Sequence, residues 1–264
     1  MSRMPALALA LALVAGTASA AAREDMVPMA GGPFVMGSDT GPADERPQHL
    51  VGLPGFRIDR LPVTNAQFAE FLDARGPGER LGGLYYDLDD PDGHIRVLGG
   101  RYVATGGYAN HPAVEVSWHG ALAYCRWRGA RLPSEAEWER AARGAHGRTF
   151  PWGEEAPTPS RARFARLHGS TAPAGANPEG VTEDGVLDLA GNVHEWTSSL
   201  YLPYHYNAGD GRENLEVAGE RVTRGGAHDS PAGALRAAFR GRGVSRNPER
   251  GHHNIGFRCA RDGM

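Results

Sequence analysis

Residues 111–144 read HPAVEVSWHGALAYCRWRGARLPSEAEWERAARG. Two helices are legible in this stretch. In the first, Ser117 stands as N-cap, and Trp118, Ala121, Leu122 and Cys125 recur at i, i+3, i+4 and i+7. That spacing places Cys125 on a core-facing stripe, and Gly129 stops the helix. In the second, Ser134 and Glu137 form a capping box, Trp138, Ala141 and Ala142 point inward, and Gly144 closes the last turn.

Working outward, TNAQFAEFLDARG (64–76) is a third helix. Thr64 and Gln67 make its capping box, Phe68, Phe71 and Leu72 its apolar stripe, and Gly76 lies just past its end. Strand signals are short: PFVMG (33–37), HLVGLPGFRID (49–59), RYVAT (101–105), RVTRGG (221–226), ALRAAFRG (234–241) and IGFRCA (255–260). The 37 glycines and 19 prolines are spread along the chain, with no linker, repeat or low-complexity tract. The expected fold is a single α+β domain, loop-rich and low in regular structure.

The N-terminus reads MSRMPALALALALVAGTASAAARED. Arg3 is a short positive region, residues 5–15 are apolar, and Ala18, Ser19 and Ala20 make a small-x-small cleavage signal. Residues 1–20 are therefore expected to be a cleaved signal peptide, too short for a membrane span. No cysteine sits at the cleavage point, which argues against a lipoprotein. The expected location is periplasmic or secreted, with no membrane span in the mature chain and a monomeric state. Every one of the 28 cations is arginine, so lysine Schiff-base chemistry is excluded. No basic stripe points to nucleic acid.

Only Cys125 and Cys259 are present. Two cysteines in an oxidising compartment usually pair, which favours a structural disulfide. A reduced nucleophilic or metal-binding pair is the alternative.

Taken in order, MAGGPFVMGS (29–38), LPVTNAQFAEFL (61–72), the stretch 111–144, FPWG (150–153), DLAGNVHEWTSS (188–199), RVTRGGAHDSP (221–231) and NIGFRCA (254–260) resemble the formylglycine-generating enzyme family, the sulfatase-modifying-factor domain. The likeness covers roughly residues 26–261. It implies the family's irregular fold, related to C-type lectins. It also implies that Cys125 and Cys259 are the pair that some members use as a structural disulfide. Members that oxidise a sulfatase cysteine hold copper(I) on two further cysteines upstream of GFRC. The matching positions here are Ala237 and the segment 230–233, none of them cysteine. Copper is therefore not expected, because soft Cu(I) is held by thiolates.

The same resemblance makes Asp188, Gly191, Val193 and Glu195 a structural Ca²⁺ site, through two carboxylates and two backbone carbonyls. Solvated acids in a turn are the alternative, and the motif match favours the site. A second calcium site of the family is expected to be absent, since Arg163 replaces its asparagine. His194 stands where copper-dependent members carry tryptophan, at the floor of the cleft. His228, Asp229 and Arg236 are the other candidates for its polar lining, with His194 as acid or base and Arg236 as an anion clamp. Arg224, Arg240 and Arg258 either line this cleft or form ion pairs bracing it. His252 and His253 precede the last strand, but no histidine spacing here is a metal signature, so no iron or other transition metal is assigned. Tyr201, Tyr204, His205 and Tyr206 form either a binding lip or packing. The acidic loop YYDLDDPDGH (85–94) binds a cation or is simply solvated.

Three functions follow from the resemblance. The first is an exported maturation or modification factor acting on an unidentified small molecule or peptide without thiolate-bound copper, as for cysteine-poor relatives in pyoverdine chromophore maturation. The second is a non-catalytic ligand- or protein-binding module on the same scaffold. The third, a sulfatase-activating oxidase, is opposed by Ala237.

Overall fold

The computed structural model describes residues 25–79, 83–241 and 246–263. The leader read at residues 1–20 lies outside the described residues. In chain order the strands are β1 (Met26–Met29), β2 (Gly32–Met36), β3 (His49–Leu53), β4 (Phe56–Asp59), β5 (Gly78–Glu79), β6 (Gly83–Leu84), β7 (Ile95–Leu98) and β8 (Arg101–Ala104). They continue with β9 (His194–Leu200), β10 (Arg221–Arg224), β11 (Ile255–Phe257) and β12 (Ala260–Asp262). The helices are α1 (Asn65–Arg75), α2 (Trp118–Trp127) and α3 (Glu135–Arg143).

All three helices begin where the caps predict. The Thr64 and Ser134 capping boxes are both formed, and Ser117 accepts from the Gly120 N–H. Each cap satisfies an amide that the first helical turn leaves unpaired. Among the described residues no helix is long and apolar enough to cross a membrane.

Small sheets replace one large one, giving the expected α+β architecture. β4 lies between β1 and β12, antiparallel to both, with Met26 opposite Asp59 and Ala260 opposite Ile58. This sheet ties the start of the domain to its end. β9 is the centre of a second sheet, antiparallel to β10 and parallel to β11. β2–β3, β5–β6 and β7–β8 are two-stranded ribbons.

Aromatic packing joins the helices to the second sheet. The Phe257 ring lies 5.9 Å from Phe68 and 5.3 Å from Tyr124. The Trp118 indole donates to the Thr197 carbonyl at 2.8 Å, and the Trp196 indole to the Val116 carbonyl at 3.0 Å. These buried N–H groups are thus satisfied while their rings fill the core.

α3 is buried along its whole length despite its charges. Its apolar side, Trp138, Ala141 and Ala142, packs on Val27 and Ile58. Its charged side meets its own Arg143 and two arginines from the C-terminal third of the chain. Glu135 accepts from Arg240 at 2.6 and 3.0 Å, and Glu139 accepts from Arg143 at 2.8 Å and from Arg224. Pairing is what makes burial of these carboxylates tolerable.

Two strand expectations need correction. HLVGLPGFRID forms two strands, because Pro54 and Gly55 break it between β3 and β4. ALRAAFRG is not a strand: residues 232–235 form a 3₁₀ turn, and Arg236 and Arg240 point away to carboxylates of other segments.

Candidate functional site

The site is organised by the turn that precedes β9. Asp188, Gly191 and Asn192 all adopt positive φ, at 57°, 77° and 62°. At Gly191 a Cβ would lie 2.3 Å from the Arg163 carbonyl oxygen, so glycine is required there. Asn192 clamps the turn: its side chain accepts from the Ala172 N–H at 2.9 Å and donates to the Ala172 carbonyl at 3.1 Å.

His194, the first residue of β9, is 1% exposed. Its Nε2 lies 3.3 Å from the Ser230 hydroxyl. That hydroxyl also accepts from the Ala227 N–H at 3.0 Å, which leaves its proton free to be donated to His194. Burial depresses the His194 pKa to about 4, against the opposing pull of Asp229 and the Arg224 carbonyl. The imidazole is therefore neutral, and its Nε2 accepts the Ser230 hydrogen bond. His194, Asp229, Ser230, Arg236, Phe239 and Asn254 line one cleft of about 500 Å³.

The structure thus brings His194, Asp229 and Arg236 to one cleft, with His228 directly beside it in the chain and fully buried. Arg236 is not a free anion clamp, however. Its two terminal nitrogens donate to the two Glu45 oxygens at 2.6 and 2.8 Å. Arg224, Arg240 and Arg258 likewise brace the site through ion pairs. Ala237 does not face the cleft; it packs with Trp138 and Ile58 in the core. From the 230–233 segment, Ser230, Pro231 and Gly233 do line it.

Cys125 and Cys259 are joined in a disulfide with a Cα–Cα distance of 5.6 Å, both fully buried. The chain has no other cysteine. At the expected calcium turn, Glu195 gives both oxygens to Arg258 at 2.7 Å, and Asp188 accepts from the Gly175 N–H at 2.7 Å. The tyrosines of the 201–206 loop pack inward. Tyr201 donates to Asp44 at 2.5 Å, Tyr204 to Glu135 at 3.2 Å and Tyr206 to Glu213 at 3.0 Å.

Sequence reading missed Glu115, His168 and Asn254. Glu115 is 4% exposed, has φ of 57°, and gathers with Asp90 and Asp92 in a second cleft of about 490 Å³. Burial, then Asp90, Asp92 and Asp87, push its pKa up to about 8. His168 Nε2 donates to Asp92 at 2.8 Å, and Asn254 donates to Asp229 at 3.1 Å. Each depends on contacts between distant segments, which no local pattern reveals.

The model of the sulfatase-modifying factor enzyme 1-like domain matches residues 13–263. The chain belongs to this family. The chain is 38% identical to the formylglycine-generating enzyme of Streptomyces coelicolor over 285 residues, covering 89% of this chain and 88% of that protein. It is 40% identical over 244 residues to the serine/threonine-protein kinase Pkn1 of Chlamydia trachomatis, covering 90% of this chain but only 38% of the kinase. Among solved structures, PvdO from Pseudomonas aeruginosa superposes with a TM-score of 0.68 at 29% identity, over 90% of this chain and 94% of PvdO. In this sulfatase-modifying-factor domain, the cleft at His194 and Ser230 is the candidate site.

Proposed function

We propose that this protein is an exported modification factor of the family, acting on a small molecule or peptide held in the His194–Ser230 cleft without thiolate-bound copper. The observation that carries this reading is the fate of the cysteines. Both are consumed in one buried disulfide, so no thiolate remains to hold Cu(I). The cleft instead offers a neutral buried imidazole against a hydroxyl, with a carboxylate and an amide on its wall. That set suits proton transfer to or from a bound substrate, His194 acting as base and Ser230 as relay. Export is supported by the leader-like N-terminus and by a disulfide, which persists in oxidising compartments.

The test is genetic and chemical. A deletion strain is complemented with wild type, His194→Gln or Ser230→Ala, and its secreted peptides and small molecules are profiled by mass spectrometry. The reading expects an unprocessed species that wild type removes and both variants leave. Full processing by both variants would refute it. Purified wild type with Cu(I) is also expected to leave the cysteine of a sulfatase peptide unmodified.

A second reading, a binding module, is favoured by one finding. This chain corresponds to only 38% of the Chlamydia kinase, so the domain also occurs as one portion of a larger protein. On that reading both variants fold, and the chain captures a partner without changing it.

A further inference from the structure

Where Asp229 lines the cleft, side chains from two separate segments converge behind it. His228 and Asp229 follow β10, and His253 precedes β11. One donor atom from each lies within 4.8 Å of the other two. Asp229 Oδ2 faces His253 Nε2 at 3.1 Å, and the Asn254 amide donates to the two Asp229 oxygens at 3.3 and 3.1 Å. The carboxylate is therefore held in one orientation.

His228 supplies the independent observation. It is fully buried, and its Nδ1 lies 2.9 Å from the Asn192 carbonyl oxygen. A carbonyl can only accept, so this contact fixes the proton on Nδ1. Nε2 is then a bare lone pair, and it has no hydrogen-bond partner among the described residues. A buried acceptor without a partner calls for one. A backbone carbonyl behind one nitrogen and an open lone pair on the other is also how metal-binding histidines are oriented.

We infer that His228, Asp229 and His253 form a binding site for one divalent first-row transition ion, which Asp229 brings to the wall of the His194 cleft. Two imidazoles and one carboxylate are the donors that Fe²⁺, Co²⁺ and Zn²⁺ accept, whereas Ca²⁺ and Mg²⁺ prefer all-oxygen sets. A His253–Asp229 ion pair without metal would explain that contact but not the bare nitrogen of His228. His168 flanks the site, its ring 3.9 Å from that of His253, and pairs outward with Asp92. The ion site stands whether or not the cleft is catalytic.

The test is Co²⁺ titration of the full chain, stripped of metal by chelator and dialysed, with visible absorption and Zn²⁺ competition as readouts. One Co²⁺ per chain is expected. His228→Ala and Asp229→Asn should each weaken binding by more than roughly 100-fold, beyond the usual loss for a residue that merely supports a ligand. His146→Ala, at an exposed histidine elsewhere, should bind as wild type. Circular dichroism confirms that each variant is folded; if His228→Ala is not, the isosteric Asp229→Asn carries the test. Failure of folded wild type to take up Co²⁺ or Zn²⁺ would overturn the site, as would unchanged affinity in the folded variants. Binding lost only in His168→Ala would overturn it too, placing the ion on the His168–Asp92 side.

Discussion

Arg258 holds both carboxylate oxygens of Glu195, through Nε and Nη2 at 2.7 Å each, with both side chains fully buried. The Trp138 indole adds a third donor at 2.7 Å. Calcium at Asp188, Gly191, Val193 and Glu195 must therefore draw Glu195 away from a guanidinium. Arg258→Ala should lose about 3–5 kcal/mol of stability in urea unfolding, the usual cost of stranding a buried charge. Wild type should show little change in melting midpoint between millimolar Ca²⁺ and EGTA. A rise of several degrees with Ca²⁺, abolished in Glu195→Gln, would instead place the ion at this turn.

Arg224 is the hub of the other buried network. It donates to Glu139 and to the carbonyls of Ala237 and Ala238 at 2.9 and 3.1 Å, and lies 3.5 Å from Glu135. Lysine has one ammonium and cannot reproduce this planar fork. Arg224→Lys is expected to lose about 3 kcal/mol or more, as a broken buried pair does. An exposed pair such as Arg101–Asp73, with the arginine side chain 74% exposed, should change stability by less than about 1 kcal/mol on Arg101→Ala. Equal losses in the two variants would show that the buried network contributes nothing special.

The disulfide spans 134 residues and links α2 to the segment just after β11. In the chain-entropy account such a closure restricts the unfolded chain and is worth about 5 kcal/mol. The double variant Cys125→Ala/Cys259→Ala should unfold at clearly lower denaturant, by about 2–5 kcal/mol. Both sulfurs lie in the α1–α2 core rather than at the cleft, so any ligand that wild type binds should still bind below the midpoint. Loss of binding in the folded double variant would tie the cysteines to the site.

What could be read from sequence was local. Thr64, Ser117 and Ser134 announce the helices because caps act over three residues. β9 was hidden for a physical reason: six of its seven residues are buried, so HEWTSSL lacks the alternation of a half-exposed strand. ALRAAFRG looked strand-like, yet Arg236 and Arg240 are drawn to Glu45 and Glu135, 191 and 105 residues away. The motifs placed His194, Asp229 and Arg236 at one cleft. They could not show that Arg236 is already neutralised, that Ala237 faces the core, or that His253 reaches Asp229 while Glu115 lines a second cleft.

The histidines set the response to acid. Burial is the leading cause that lowers the pKa values of His49, His94, His111 and His194, the last to about 4 from 6.5. Between the folded and unfolded values, the unfolded chain binds more protons, so stability rises with pH in that window. It is complete above pH 6.5 and is lost progressively as pH falls toward 4. For His194 alone, acidification from 6.5 to 5 should cost about 2 kcal/mol, at 1.36 kcal/mol per pH unit. Urea midpoints measured at pH 7 and pH 5 in metal-free buffer should fall on acidification, and fall less in His194→Gln. That glutamine cannot titrate, so its remaining slope reports the other histidines and the carboxylates. Identical slopes in wild type and His194→Gln would mean that the imidazole is charged or wet at neutral pH, and would remove its role as the cleft's base.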